Sequence, residues 1–232
     1  MKNIRIFAFP YAMGGASAYY PLKNKFENSG YQICALNYPG HESRFSEEIR
    51  YSMQEIAQDM YDQISEYLDE EYCLLGYSMG GTVCYELYQC IKRNHRKSPL
   101  HVFLIAADSP DAEPDFINCE NMTVQRVRDI FAEMGGTPNE ILESDDMLEL
   151  LLPIVKGDLC ASEKYIPTLE YKIDCAVTLV RGTEEDNTCC RQGWNQYLIN
   201  PCNYHEVEGG HFFMFDDDEG LCVVSDIIRK SL

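Results

Sequence analysis

Apolar residues recur along this chain in two alternating rhythms. Short runs rich in β-branched, aromatic and other apolar residues cover Ile4 to Phe9, Gln32 to Leu36, Cys73 to Leu75, Val102 to Ala106 and Ala176 to Val180, and each reads as a strand. Asn203 to Val207 predicts a further one. Between them, apolar positions fall three and four residues apart. Met53, Ile56, Ala57, Met60, Ile64 and Leu68 line one face of a predicted helix from Ser52 to Leu68, with Ser52 as its cap. A helix is expected over Tyr19 to Asn28, and another from Leu221 to Ile228 closes the chain. Strands alternating with helices in this way predict an α/β fold, a mainly parallel sheet with helices on both faces.

The alternation breaks once, from Asp111 to about Leu169. Val124, Val127, Ile130, Phe131 and Met134 make one helical face; Met147, Leu148, Leu151, Leu152 and Val155 make another. Gly135-Gly136-Thr137-Pro138 separates them. Helices placed between two sheet strands form an insertion, and above a catalytic face an insertion is a lid. The expected organisation is therefore a single domain over 1–232 with a helical lid over 111–169.

Composition narrows the classes. At 232 residues and 45% hydrophobic content, the chain can bury one sizeable core. No apolar run approaches the roughly 20 residues that a membrane span requires, and the first residues already read as a strand. A soluble, unprocessed, cytoplasmic protein is expected. The net charge of −19 argues against nucleic acid and anionic membrane as partners, because both select basic surfaces. The 11 cysteines are odd in number and lack paired C-x-x-C spacing, so they read as reduced, mostly buried thiols. Cys189 and Cys190 have no histidine or further cysteine at ligand spacing, so neither a metal site nor a cofactor is expected.

The chemistry concentrates at Gly76-Tyr77-Ser78-Met79-Gly80-Gly81. An apolar strand precedes it and an amphipathic helix follows, which is the setting in which G-x-S-x-G forms a nucleophile elbow. The turn holds a serine hydroxyl above the sheet, and glycines on either side let strand and helix pass closely. The Met79 amide then lies at a helix N-terminus, suited to a developing oxyanion. The loop Tyr11 to Ser17, after the first strand, is placed to supply a second oxyanion N–H, with Ala12 and Met13 as candidates. His211, in Glu208-Gly209-Gly210-His211 after the last strand, is the candidate base for Ser78. His41 follows a Pro-Gly turn near the same face and is a candidate substrate contact. The acid is open: Glu184, Glu185 and Asp186 share the loop after Val180, and Asp108 ends the preceding strand as a rival.

These motifs together resemble the type II thioesterases, stand-alone α/β-hydrolases of nonribosomal peptide and polyketide synthesis. Phe9-Pro10-Tyr11-Ala12 with Gly14-Gly15 resembles the family's F-P-x-A-G-G loop, with Met13 as an extra residue. Tyr38-Pro39-Gly40-His41-Glu42-Ser43-Arg44 resembles its P-G-x-x-x-R turn, and Gly209-Gly210-His211-Phe212-Phe213 its G-G-H-F-F ending. In the elbow, Tyr77 replaces the usual histidine. Leu152-Pro153 and the segment Asp158 to Tyr165 are similar to the family's lid. The family's acid falls three residues after glycine, which from Gly182 gives Glu185; its usual identity, aspartate, favours Asp186. The resemblance implies an α/β-hydrolase fold with an inserted lid. It also implies an editing thioesterase that clears acyl or aminoacyl groups from the phosphopantetheine arm of a carrier protein, acting as a monomer without cofactor. Ser78, His211 and Glu185 or Asp186 would form the triad, and Met79 and Ala12 the oxyanion hole. Carrier proteins are generally acidic, as is this chain, so contact needs a local basic or apolar patch; Lys156, Lys164 and Arg128 are candidates. Two other readings stand beside this one, a general carboxylesterase with the same triad and a non-catalytic carrier-binding module whose acid has decayed.

Overall fold

Six strands lie side by side, and every pairing among them is parallel. A computed structural model describes residues 4–113, 117–134, 137–185 and 190–232. In chain order the elements are β1 (Ile4–Phe9), α1 (Tyr20–Lys25), β2 (Tyr31–Ala35), α2 (Met53–Ile64), β3 (Tyr72–Tyr77), α3 (Met79–Arg93) and β4 (His101–Ile105). Then come α4 (Val124–Met134), α5 (Asn139–Leu142), α6 (Asp145–Glu163), β5 (Ala176–Gly182), α7 (Cys190–Asn195), β6 (Asn203–Val207), α8 (Phe213–Asp216) and α9 (Asp218–Ser231).

The strand order β2-β1-β3-β4-β5-β6 reverses direction at β1. From there the chain moves outward to β2, then returns to place β3 on the other side. Connections leaving β1 and β3 therefore diverge, and a crevice opens above their carboxyl ends, where ligands of open α/β sheets bind. In register, Phe9 at the end of β1 stands beside Gly76 of β3.

Alternation along the strands divides the core in two. Phe7, Phe9, Leu74, Val102 and Leu104 face α2 and α3, whereas Ile6, Ala8, Leu75, Phe103 and Ile105 face α1 and α9. The sheet is thus covered on both sides, which is why its central strands are apolar throughout. Helices α4, α5 and α6 lie between β4 and β5 in sequence. They carry a third small core in which Val127, Ile130, Leu148, Val155 and Leu159 pack together.

Several expectations are adjusted. The helix expected over Tyr19 to Asn28 is a 3-10 turn, Ala16–Tyr19, followed by the short α1. Asn28 has φ +60°, a left-handed conformation that a helix cannot continue through. Helix α2 begins as expected, with the Ser52 hydroxyl accepting the Glu55 amide, and its last turn tightens to 3-10 over Ser65–Tyr67. The short helices α7 and α8 have no periodic signature in the sequence. The thiols are not all reduced: Cys119 and Cys160, 41 positions apart in sequence, form a disulfide with Cα atoms 5.2 Å apart. That separation hides the pairing from spacing arguments. Cys73, Cys84 and Cys90 are free and buried, as expected of small apolar residues. No helix among the described residues is long and apolar enough to cross a membrane.

Candidate active site

Ser78 sits at the sharp turn from β3 into α3 with φ +52° and ψ −119°, a conformation that L-residues avoid. Its amide donates to the Ile105 carbonyl at 2.8 Å, and Ser78 O accepts the Gly81 amide, so both sides of the turn are held. The flanking glycines have a steric reason. A Cβ on Gly76 would lie 2.1 Å from the Gly80 carbonyl oxygen, and one on Gly80 would lie 2.1 Å from that of Phe9. Only bare backbone lets β1, β3 and α3 converge here.

His211 reaches this turn from the loop between β6 and α8. Its Nε2 is 2.9 Å from Ser78 Oγ, and its Nδ1 is 2.7 Å from Glu185 Oε1. Fold alone unites them, since 133 residues separate the serine from the histidine. Tyr77 donates its hydroxyl to the His211 carbonyl and so ties the imidazole's backbone to β3. Burial raises the Tyr77 pKa far above its usual range, with Glu185 adding to the effect, which keeps this hydroxyl a donor.

Of the carboxylates weighed as the acid, Glu185 is the one against His211 among the described residues. Its side chain is 7% exposed, and its other oxygen, Oε2, accepts the Gly182 amide at 2.8 Å and faces Arg181 Nε at 3.4 Å. Asp108 points elsewhere: its side chain is 68% exposed and accepts from Arg181 Nη1 at 2.9 Å. Asp186 lies outside the described residues. Arg181, buried at the end of β5, thus bridges the two rival positions, a link that no spacing argument suggests.

The candidate oxyanion donors also separate. Met13 N–H is taken by the Asp158 carboxylate at 2.6 Å, whereas among the described residues the Ala12 and Met79 amides meet no protein acceptor. Both line a cleft of about 760 Å³ that holds Ser78 and His211 and is also lined by Ile130, Leu159 and Tyr165 from the segment between β4 and β5. Its walls mix apolar surface with Asp108, Arg126 and Glu133. Asp158 was visible in sequence only as part of the lid resemblance, and its reach to Met13 was not.

The remaining histidines separate from the site. His101 is buried against Phe103 with Nε2 at 2.8 Å from Thr178 Oγ1, and burial lowers its pKa to about 4. His95 and His205 are exposed. His41 is buried and bonded to Asp158 rather than open to the cleft. The suggested basic patch is engaged internally: Lys164 and Arg128 pair with Glu120 and Asp145, and Lys156 donates to the Glu120 carbonyl. Among the described residues no cluster of three or more His, Cys, Asp or Glu side chains could hold a metal ion.

The family model described as a thioesterase domain matches residues 4–231. The gramicidin S biosynthesis protein GrsT of Aneurinibacillus migulanus is 25% identical over 220 residues, covering 92% of this chain and 84% of that protein. The medium-chain S-acyl fatty acid synthase thioesterase of Rattus norvegicus is 24% identical over 219 residues, covering 92% and 82%. Among solved structures, RedJ, the thioesterase of the prodiginine pathway in Streptomyces coelicolor, superimposes with a TM-score of 0.85 at 22% identity. That alignment covers 100% of this chain and 91% of RedJ.

Proposed function

The chain belongs to the thioesterase domain family, and from that premise we propose that it is a type II, editing thioesterase that works through Ser78, His211 and Glu185. It is a thioester hydrolase. The proposed substrates are acyl or aminoacyl groups carried on the phosphopantetheine arm of a carrier protein in nonribosomal peptide or polyketide synthesis. GrsT is named for gramicidin S biosynthesis and RedJ for the prodiginine biosynthetic pathway, and a further structural neighbour, ClbQ, is named for the colibactin NRPS/PKS pathway. A cytoplasmic, monomeric enzyme is part of the same proposal, as is a lid role for the insertion over 111–169.

One observation carries the chemistry: the unbroken relay from Ser78 Oγ to His211 Nε2 at 2.9 Å and from His211 Nδ1 to Glu185 at 2.7 Å. In the proposed reaction the Ser78 hydroxyl gives its proton to Nε2 as Oγ bonds to the thioester carbonyl carbon. The carbonyl oxygen becomes an oxyanion, received by the amides of Met79 and Ala12. Glu185, accepting from Nδ1, holds the tautomer that leaves Nε2 free as a base and then stabilises the imidazolium. Collapse breaks the carbon–sulfur bond, and the thiolate of the arm takes the proton from Nε2. Water then attacks the acyl-serine with His211 again as base, releasing the acid and restoring Oγ–H.

Ser78→Ala and His211→Ala are each expected to abolish hydrolysis with the far-ultraviolet circular dichroism unchanged. A fluorophosphonate should label wild-type protein at Ser78, located by mass spectrometry. Turnover of a carrier-bound acyl thioester is compared with that of a free short-chain ester. Equal or faster turnover of the ester would count against editing and for a carboxylesterase; no labelling at all would make the chain a binding module.

A further inference from the structure

The loop after β1 carries a strained residue away from the nucleophile. Met13 has φ +66°, and the Gly14 amide donates back to the Tyr11 carbonyl at 3.0 Å. Tyr11 to Gly14 is therefore a turn whose third position needs positive φ, where glycine is the usual occupant. A methionine there is disfavoured, and the central peptide can relieve the strain by flipping. What opposes the flip is a carboxylate from another part of the chain: Asp158 Oδ2 accepts the Met13 amide at 2.6 Å.

Asp158 is itself held. The same Oδ2 lies 3.0 Å from His41 Nε2, while His41 Nδ1 lies 3.1 Å from the Pro39 carbonyl oxygen. Asp158 and His41 are 1% and 3% exposed. A carbonyl can only accept, so Nδ1 donates to Pro39; a carboxylate oxygen accepts more than one hydrogen bond, so Oδ2 is placed to take Nε2–H beside the Met13 amide, the arrangement of a cationic His41 in a buried pair. Close packing brings α6 within reach: a Cβ on Gly157, beside Asp158, would fall 2.3 Å from the Ile49 side chain. Three segments distant in sequence, residues 11–14, 38–50 and α6, thus meet at one carboxylate oxygen.

We propose that His41 and Asp158 are positioning residues, a buried clasp that locks the loop after β1 to the helical insertion and so sets the Ala12 amide for the oxyanion. The inference rests on the serine-hydrolase reading of Ser78. With the clasp closed, Met13 N–H is turned to Asp158 and the turn is fixed; with it open, the peptide between Ala12 and Met13 is free to rotate, the turn loses its anchor, and the preceding Tyr11–Ala12 peptide, which presents the Ala12 N–H, is no longer held in place. The groups facing His41 are Asp158 from α6, the Pro39 carbonyl, neighbouring Glu42 and the edge of the Tyr38 ring. Burial pushes the proton off His41, but Asp158, the Pro39 carbonyl and Glu42 outweigh it, and the pKa is raised above its ordinary value. Burial holds the Tyr38 hydroxyl neutral throughout this range.

The test uses the full chain with an acyl N-acetylcysteamine thioester and a trifluoromethyl ketone of the same acyl group, whose serine adduct places an oxyanion in the hole. Asp158→Asn keeps the shape and removes the charge; His41→Gln keeps one donor and removes the titration. Each is expected to lower kcat by roughly 10- to 100-fold with KM within threefold, and to weaken ketone inhibition by a similar factor. The double variant should lose little more than either single one, since both open the same clasp. In unaltered protein, the His41 ring nitrogens, followed by NMR, should both carry protons at pH 7, and kcat should fall as His41 deprotonates on the alkaline side. This measurement stands even if a variant fails to fold. A neutral His41 at pH 7, or folded variants with kcat and ketone inhibition within twofold of wild type, overturns the clasp. Should Ser78→Ala stay active in the same assay, it is the serine reading that fails.

Discussion

Glu185→Gln tests the electrostatic side of the site most sharply, because the substitution changes charge and almost nothing else in shape. In the wild-type chain one oxygen of Glu185 faces His211 Nδ1 at 2.7 Å, and the other faces two donors, the Gly182 amide at 2.8 Å and Arg181 Nε at 3.4 Å. Glutamine cannot satisfy both sides. With its carbonyl toward His211, its NH2 meets two donors; turned over, its NH2 meets Nδ1 and forces the proton onto Nε2, where the base must be free. The magnitude follows from the charge that forms on His211 in the transition state. Unit charges about 4 Å apart at an effective dielectric of about 20 attract by about 4 kcal/mol. Because the His211 side chain is 41% exposed, water screens part of that attraction, leaving roughly 2 to 3 kcal/mol. That corresponds to a loss in kcat of roughly 30- to 150-fold with KM nearly unchanged. Steady-state hydrolysis of an acyl N-acetylcysteamine thioester, followed by release of free thiol, reads it directly. Asp108→Asn is the comparison and should stay within about threefold of wild type, since Asp108 is exposed and bonded only to Arg181 among described partners. Retention of more than a third of wild-type kcat by Glu185→Gln would refute the assignment.

Three further outcomes follow from the packing and titration of the fold. Gly76→Ala sets a methyl group 2.1 Å from the Gly80 carbonyl oxygen, where backbone must move, so stability should fall by about 3 kcal/mol or more; an unchanged urea midpoint would contradict this. His101 has a folded pKa near 4 against 6.5 for the free side chain, so the unfolded chain binds the extra proton between those values. Stability should therefore decline as pH falls from about 6.5 toward 4, by up to roughly 3 kcal/mol, and His101→Gln should flatten that slope in urea titrations. Reduction of the Cys119–Cys160 bond, which closes a span of 41 residues, should lower stability by about 4 kcal/mol in the chain-entropy picture. Alkylation of unfolded, unreduced protein should leave those two cysteines unmodified, and their modification would show the bond absent.

The strands, the main helices and the serine elbow could be read from residue order because each depends on neighbours a few positions away. Period-two and three-to-four apolar spacing reports which face is buried, and Gly76, Ser78 and Gly80 report a turn that only glycines permit. His211 was legible for the same reason, as a histidine on a glycine-rich loop beyond the last strand. Its partner was legible only in part: spacing from Gly182 pointed to Glu185 and residue type to Asp186, with Asp108 as a rival of the same carboxylate chemistry, and residue order could not decide which one folds against Nδ1. Only the tertiary structure turned Glu185 inward onto His211 and Asp108 outward onto Arg181. It alone paired Cys119 with Cys160, gave the Met13 amide to Asp158 and buried His41 beside that carboxylate. Each of these joins positions separated by tens of residues, where backbone geometry, rather than spacing along the chain, decides which polar groups meet.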